Sequence, residues 1–413
     1  MSYLHGVYSR EVPTSILPPV RCDVSMPVVV STAPVHTLPP EAERPINKPV
    51  LIFTPEEGVA AFGALPPGAS KSDYPILQAL EVYLSRYRMA PVCVINVFDP
   101  EKHVDAQGKP DVKKVTTSDI IGGIDAAGQR SGLELIDKIY PKFQLIPGQI
   151  IAPGFDDPAV SLVIGAKCAE VSGNLDCIGI ADIPYGVKYT EASEYLLDNN
   201  LTDKNLIMFF GRPVFNDTLE FGCLHWAGIT AQRDNENESS IPYWSPSNKR
   251  LLANGMASCG KELLLDTRDA AYLNGCGVVT GMVRAGGLVG WGNRTSCYPG
   301  ITDPKDSFIP LRRMFNFVGN TLVMTADQFA DRPLNRRQKG TVCDTFNVWL
   351  NGLARREYLL GGRCEFLAGE NPNTDIMDGI SNFHVFLTPP SPNREMNIKK
   401  EYDPNYINTL YAA

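Results

Sequence analysis

The sequence lacks the features that indicate a membrane protein or a disulfide-stabilised secreted protein. No apolar run reaches the about 18 residues of a membrane span, and the N-terminus shows no basic region followed by an apolar one. The ten cysteines are scattered and include no C-x-x-C pair. We therefore expect reduced, buried thiols, folding in a cytosol and no membrane insertion.

Positive charge is also scarce. The chain has 38 Lys and Arg against 46 Asp and Glu, a net charge of −8, and its pI is near 5.3. Without a basic stripe to hold phosphates, nucleic acid is not an expected partner. Basic residues nevertheless cluster late in the chain, at Arg332, Arg336, Arg337 and Lys339, and again at Arg355 and Arg356. Two interpretations stay open, a solvated helix face and an electrostatic patch for an acidic protein partner.

Motifs for catalysis and for cofactor binding are missing or incomplete. The segment 255–262 approaches a phosphate-binding loop, but Glu262 stands where the Mg²⁺-ligating Ser or Thr belongs. The motif also falls inside a helix that we predict over 249–265. Cys223 and His225 form a close pair on a predicted alternating strand, but a zinc site needs three or four ligands. A nucleophile elbow, G-x-S-x-G, is absent. We predict no catalytic, cofactor or metal site.

The chain is long enough for two or three domains. Nine prolines fall in its first 50 residues, which predicts an extended arm lying across another surface. From residue 50 to residue 210, short apolar strands such as 91–97 alternate with helices such as 74–88. Strands that are apolar throughout, separated by helices, are typical of a parallel sheet covered on both faces. The fold class predicted for this part is therefore α/β.

The second half has a different pattern. Residues 233–240 are polar and predict an exposed loop, and residues 275–295 predict glycine-rich β-structure. Two long helical patterns follow, over 308–329 and 340–360, and then strands at 364–367 and 383–387. Together they predict a second, α+β domain. A polar and aromatic tail begins at Arg394.

Several short sequence motifs, which we call phrases, together and in order resemble those of the contractile tail sheath family. No single phrase decides the matter, but their order and their coverage of nearly the whole chain do. The phrases are G-V-Y-S-R-E-V-P at 6–13, M-P-V-V-V-S-T-A-P at 26–34, D-I-I-G-G-I-D at 119–125, I-A-P-G-F at 151–155, W-S-P-S-N at 244–248, W-G-N-R-T at 291–295, D-R-P-L at 331–334 and T-P-P at 388–390.

The resemblance implies a structural protein rather than an enzyme. Such a subunit would polymerise with itself as a helical tube of stacked rings around an inner tail tube protein, and would contract to drive that tube through a target cell envelope. Baseplate and tail terminator proteins would be its other partners. Its place would be a virion tail or related contractile particle, assembled in the cytoplasm of a bacterial host. The competing interpretation is a cytosolic α/β enzyme with an unrecognised site.

The resemblance also implies an arrangement of domains. An outer α/β domain, subtilisin-like but without the catalytic triad, would span 26–300, and a tube-facing assembly domain would span 301–393. Arms at 1–25 and 394–413 would add strands to the sheets of neighbouring subunits. The arm residues expected to contact neighbours are Gly6, Val7, Tyr8, Val12, Ile398, Tyr402, Tyr406 and Leu410. Charge alone selects the tube-facing candidates, Arg336, Arg337, Lys339, Arg355 and Arg356.

Overall fold

The computed structural model describes residues 24–411, which contain both helices and strands. The strands are β1 Pro27–Ser31, β2 Pro49–Ile52, β3 Val92–Asn96, β4 Gln149–Ile151, β5 Ile178–Asp182, β6 Leu206–Phe210, β7 Arg212–Phe215, β8 Thr218–Leu219, β9 Gly255–Ser258, β10 Lys261–Glu262, β11 Val278–Arg284, β12 Gly287–Trp291, β13 Gly361–Glu365 and β14 His384–Thr388. The α-helices are α1 Pro55–Phe62, α2 Pro75–Leu80, α3 Thr117–Ile121, α4 Ile139–Phe143, α5 Pro158–Cys168, α6 Ala192–Asp198, α7 Gly222–Asn235, α8 Thr267–Gly275, α9 Pro304–Ser307, α10 Ile309–Ala326, α11 Arg336–Arg355 and α12 Asn373–Met377.

An eight-stranded sheet lies at the centre of the fold, in the order β12-β11-β6-β5-β4-β1-β3-β2. The six inner strands are parallel, and the outermost strands, β2 and β12, are antiparallel to their neighbours. Every residue of β1, β3, β5 and β6 is buried, because helices cover both faces of the sheet. The prediction of a parallel, covered sheet is confirmed.

The strand β1 corrects the prediction that the first 50 residues form an extended arm. It lies in the middle of the sheet, where Val29 is opposite Val94 of β3 and Ile151 of β4. The described prolines of this segment, from Pro27 to Pro49, stand at the start of strands or between elements, where the missing N–H costs no ladder bond. The predicted arm itself, 1–25, lies almost wholly outside the described residues, and so do Gly6, Val7, Tyr8 and Val12.

The helix α7 replaces the predicted strand at 223–225 and extends into the predicted exposed loop at 233–240, where Asn235, Glu236, Glu238 and Ser239 are exposed as predicted. Most of its residues are buried, including Trp226, whose ring centroid lies 6.1 Å from that of Phe209. The polar end is helical because Asp234 forms a buried ion pair with Arg313 of α10. Polarity predicted exposure there, but a partner 79 residues away in the sequence satisfies the charge.

The prediction of a helix over 249–265 is also wrong. The strands β9 and β10 form a hairpin in a small sheet of order β10-β9-β7-β8. Its turn places Cys259 and Gly260 at φ values of +52° and +74°, a left-handed pair that favours a tight hairpin and cannot continue a helix. The incomplete phosphate-binding motif is therefore a β-hairpin and does not precede a helix N-terminus.

The C-terminal part has the two long helices and two strands that the sequence predicted. Helix α10 contributes Ile309 to the main core, whereas its Met314 and Phe317 pack with Leu350 and Leu353 of α11 in a second core. The strands β13 and β14 form a separate antiparallel sheet. Residues 389–403 have no regular secondary structure, and a 3-10 helix follows at Pro404–Tyr411. Among the helices of residues 24–411, none has the length and apolar character to cross a membrane.

Candidate assembly surfaces

The carboxyl ends of the parallel strands are the place where an α/β enzyme binds its ligand, at the point where the strand order reverses. In this sheet the reversal falls between β1 and β4. The Ser31 hydroxyl donates to the carbonyl oxygen of Pro153 at 2.8 Å, and the Ala33 amide donates to Asn96 Oδ1 at 2.9 Å. These direct bonds join the strand ends at the position of the usual crevice.

Beside the reversal, Arg212 forms an ion pair with two carboxylates, Asp182 and Asp156. Arg212 Nη1 lies 2.5 Å from Asp182 Oδ2, and its Nη2 donates to Asp156. Asp182 also accepts from the backbone amide of Cys223 at 2.7 Å. Burial raises the pKa of both carboxyls, and the guanidinium between them limits that rise. Because each acid already has a cationic partner, this cluster is a structural tie between β5, β7 and α7.

The predicted close pair, Cys223 and His225, lies on α7, and both residues are buried. His225 Nδ1 is 2.9 Å from the hydroxyl of Tyr87, and its Nε2 is 2.9 Å from Glu220. Burial lowers the pKa of His225, and the hydrogen bond to Glu220 opposes that shift only in part. Both ring nitrogens thus have protein partners. Within residues 24–411, no group of three or more His, Cys, Asp or Glu residues is arranged to hold a metal ion.

The five basic candidates lie on or next to α11, but the structure does not bring them together. Arg336, Arg337 and Lys339 are in its first turn, whereas Arg355 and Arg356 are at its other end. At 1.5 Å per residue the two groups are about 28 Å apart. We call them the N-end group and the C-end group.

One residue of each group nevertheless lies on a shared face of the helix. Arg337 and Arg355 are 18 residues apart, which is five turns at 3.6 residues per turn, so they lie on the same side. Asp344, Val348 and Asn351 lie between them and are also exposed. This face of α11 therefore has one positive charge at each end and one acidic residue, Asp344, between them.

The partners of these basic residues differ. Lys339 Nζ lies 5.1 Å from the ring centroid of Phe366, and Arg356 lies 3.3 Å from Glu238. Within the described part of the chain, Arg336, Arg337 and Arg355 make no ion pair within 4 Å. Two arginines in the first turn of a helix oppose its dipole, at a cost of about 0.3–1 kcal/mol each. Such a placement indicates a role other than stabilising α11.

The sheet β13–β14 and the C-terminal tail are the two surfaces suited to strand addition. Residues 24–411 contribute only these two strands to the sheet, so both of its outer edges are without a strand. The predicted tail contacts, Ile398, Tyr402, Tyr406 and Leu410, are each more than 70% exposed. Large apolar side chains left in solvent on a terminal tail are typical of a partner-binding arm.

Comparison with known proteins gives relatives over the whole chain. The sequence is 23% identical to the tail sheath protein of Escherichia phage P2 over 428 aligned positions, which cover 100% of this chain and 98% of the phage protein. A tail sheath protein of Burkholderia phage BcepMu is 26% identical over 315 positions, 73% of this chain and 64% of that protein. This chain is similar to tail sheath proteins over its whole length. A putative prophage major tail sheath protein of Pseudomonas aeruginosa is also 23% identical, over 98% of both chains. No protein-family model matches the sequence.

Solved sheath structures share the fold. The sheath of the PVC extracellular contractile injection system, in its contracted state, matches 98% of this chain with a TM-score of 0.70 at 14% identity. The contracted helical sheath of the anti-feeding prophage matches 98% of the chain with a TM-score of 0.67 at 16% identity. The mixed α/β fold is thus that of contractile sheath proteins.

Proposed function

We propose that this chain is the structural subunit of a contractile tail sheath, which polymerises as a helical tube and contracts. The observation that carries the proposal is the end-to-end similarity to tail sheath proteins. The enzyme alternative is not favoured, because the relatives are sheath proteins and the strand ends at the usual ligand site are tied by direct bonds.

The contacts between subunits are proposed to be strand additions by the arms. An arm from a neighbour that pairs with β13 or β14 supplies main-chain hydrogen bonds, and these survive rotation of the domains. The exposed tail from Arg394 and the open edges of the β13–β14 sheet support this arrangement. Head-to-tail contacts of this kind build an open helix when the rotation does not close.

We infer the division into an outer domain, 26–300, and a tube-facing domain, 301–393, from the resemblance and from the two separate cores. The outer domain is proposed to be a subtilisin-like layer without a catalytic triad. Helix α11 is proposed to face an inner tail tube through its N-end and C-end groups. Weak, salt-screened pairs suit this contact, because the sheath must release the tube when it contracts.

The other proposed partners are the tail terminator and the baseplate; a matching chain comes from the anti-feeding prophage baseplate. We also propose that the protein assembles in the cytoplasm of a bacterial host, into a virion tail or a related particle. Contraction would be a switch between two packings of the same subunits, separated by a few kcal/mol per subunit.

Sedimentation of the purified protein over a range of concentrations tests the function. A sheath subunit passes from monomer to very large polymers as its concentration rises, because each added subunit gains the same contacts. An α/β enzyme stays a small oligomer at every concentration. A single small species throughout would contradict the proposed function.

A further inference from the structure

The root of each arm, which is the point where the arm joins the folded part of the chain, lies next to the same turn, Tyr243–Trp244. On one side, Tyr243 packs against the core cluster that contains Val24, the first described residue, at the end of the predicted N-terminal arm. The carbonyl oxygen of Val24 accepts from Arg313 Nη2 at 3.2 Å. The tyrosine ring also lies 4.8 Å from the ring of Tyr358. The N-terminal arm therefore starts from a fixed, buried point.

On the other side, the same turn lines a groove of about 810 Å³. Trp244, Trp291 and Tyr298 form part of its wall, and residues 390–395 line it too. This is the start of the C-terminal arm, which continues directly from β14. Pro389 is buried, and Pro390 and Pro392 are half-buried. We call residues 389–393 the proline linker.

The chemistry of the groove matches that of the proline linker. Proline-rich segments adopt an extended, preformed helix, and grooves lined by tryptophan and tyrosine bind such segments at a small entropic cost. The wall is held rigid: Arg233 lies 4.7 Å from the ring of Trp244, and the Gly292 amide donates to Ser247 Oγ at 3.1 Å. Beyond the groove, Met396 and Ile398 are more than 70% exposed.

We propose that the Tyr243–Trp244 turn anchors the roots of both arms, with Val24 on one side and the proline linker on the other. This inference rests on the proposed function, in which the arms connect subunits. An arm that leaves from a fixed point has less conformational freedom to lose when it pairs with a neighbour, so anchoring strengthens assembly without adding a contact between subunits.

Trypsin cleavage of the full-length, unassembled chain tests the anchor. Arg394 lies at the groove, whereas Lys400 lies further along the exposed tail and serves as a reference in the same molecule. In Trp244→Ala we expect cleavage after Arg394 to become about tenfold faster, because cleavage follows the population of the opened segment. Cleavage after Lys400 should not change. Phe53→Ala, which removes an exposed ring far along the chain from the groove, is the matched control.

The double variant Pro390→Ala/Pro392→Ala tests the same contact from the linker side and leaves the core intact. It should speed cleavage after Arg394 as Trp244→Ala does. The double variant and Trp244→Ala should also both raise the protein concentration needed for polymerisation, whereas Phe53→Ala should leave that concentration unchanged. Unchanged cleavage after Arg394 in both variants would overturn the anchor. If the wild-type chain forms no polymer, the proposed function fails, but the cleavage result still decides whether the anchor exists.

Discussion

At the scale of single residues, the glycines at 122 and 132 are required by the close approach of two backbone segments. A Cβ added at Gly132 would lie 2.3 Å from the carbonyl oxygen of Ile120, and one at Gly122 would lie 1.9 Å from that of Ser131. Both residues have positive φ, +57° and +70°. The phrase D-I-I-G-G-I-D, which carried part of the resemblance, thus has a steric basis.

We expect Gly132→Ala to lower the free energy of unfolding by about 2–4 kcal/mol, from left-handed strain and overpacking together. The neighbouring Gly123 is the control, because a Cβ there meets nothing within 4 Å and its φ is not positive. Gly123→Ala should stay within about 0.5 kcal/mol of wild type. Urea unfolding of the unassembled chains measures both, and equal effects would refute the steric explanation.

The buried pair Arg313–Asp234 gives a second prediction at this scale. Arg313 Nη1 lies 2.8 Å from Asp234 Oδ1, and both side chains are at most 2% exposed. Arg313→Met leaves an uncompensated buried carboxylate and should destabilise the fold by about 3–5 kcal/mol. The double variant Arg313→Met/Asp234→Leu should recover much of that loss, because it removes both charges. A single variant as stable as the double one would contradict this account.

Sequence reasoning could not find this pair. Asp234 lies in a polar run whose composition predicted an exposed loop, and nothing local to the run points to Arg313. The same limit applies to β1: proline content predicted an extended arm there, but the central position of the strand depends on pairing with β3 and β4, far away in the sequence. The pattern of apolar residues predicted an element correctly where the residues of that element determine its burial, as in α10 and the parallel strands.

At the scale of elements, charge reversal on α11 tests the proposal that this helix faces the inner tail tube. Arg336→Glu/Arg337→Glu should weaken assembly of the sheath on preformed inner tubes and spare polymers that form without a tube. Arg355→Glu/Arg356→Glu should act in the same direction, although it also breaks the contact with Glu238. Each exposed pair contributes only about 0.2–1 kcal/mol, but the contact repeats in every subunit. Electron microscopy of sheath added to inner tubes measures the coated length.

The control for α11 is Lys113→Glu/Lys114→Glu, an equal charge reversal at two exposed lysines of the proposed outer domain. It should leave coating unchanged. Normal coating by both arginine double variants would remove α11 as the tube-facing element. The sequence showed the basic residues as two clusters, but not that a single helix carries one cluster at each end, because that depends on where the helix begins and ends.

The C-terminal arm gives a further prediction at this scale. Deletion of residues 396–413 should abolish polymerisation and leave a folded monomer with unchanged thermal stability, because Met396, Ile398, Tyr402 and Leu410 are exposed. Analytical ultracentrifugation and thermal unfolding measure the two properties. A second variant keeps the arm at full length and replaces Ile398, Tyr402 and Leu410 with serine. It tests whether polymerisation depends on these side chains or only on the length of the arm. Normal polymers from the deleted chain would show that this arm is not a connector.

At the scale of the whole molecule, the sequence predicted the class of fold and the similarity to tail sheath proteins, and the structure added what holds the subunit together. A covered parallel sheet forms the main core, and α10 joins it to the second core beneath α11. The β13–β14 sheet packs on the second core through Val385 and Leu387, the described residues add no further strand at either of its edges, and the tail beyond it is exposed. If neighbouring arms pair with these edges as proposed, large domain rotations would leave the strand pairings intact.

Electron microscopy of the purified wild-type chain, followed by helical reconstruction of whatever it forms, tests the central claim most directly. We expect hollow helical tubes in the contracted packing, the lower-energy state, with strands from neighbouring subunits added to β13 and β14. The contradicting result is a chain that stays a monodisperse monomer under many conditions, or one whose polymers leave the β13–β14 sheet two-stranded.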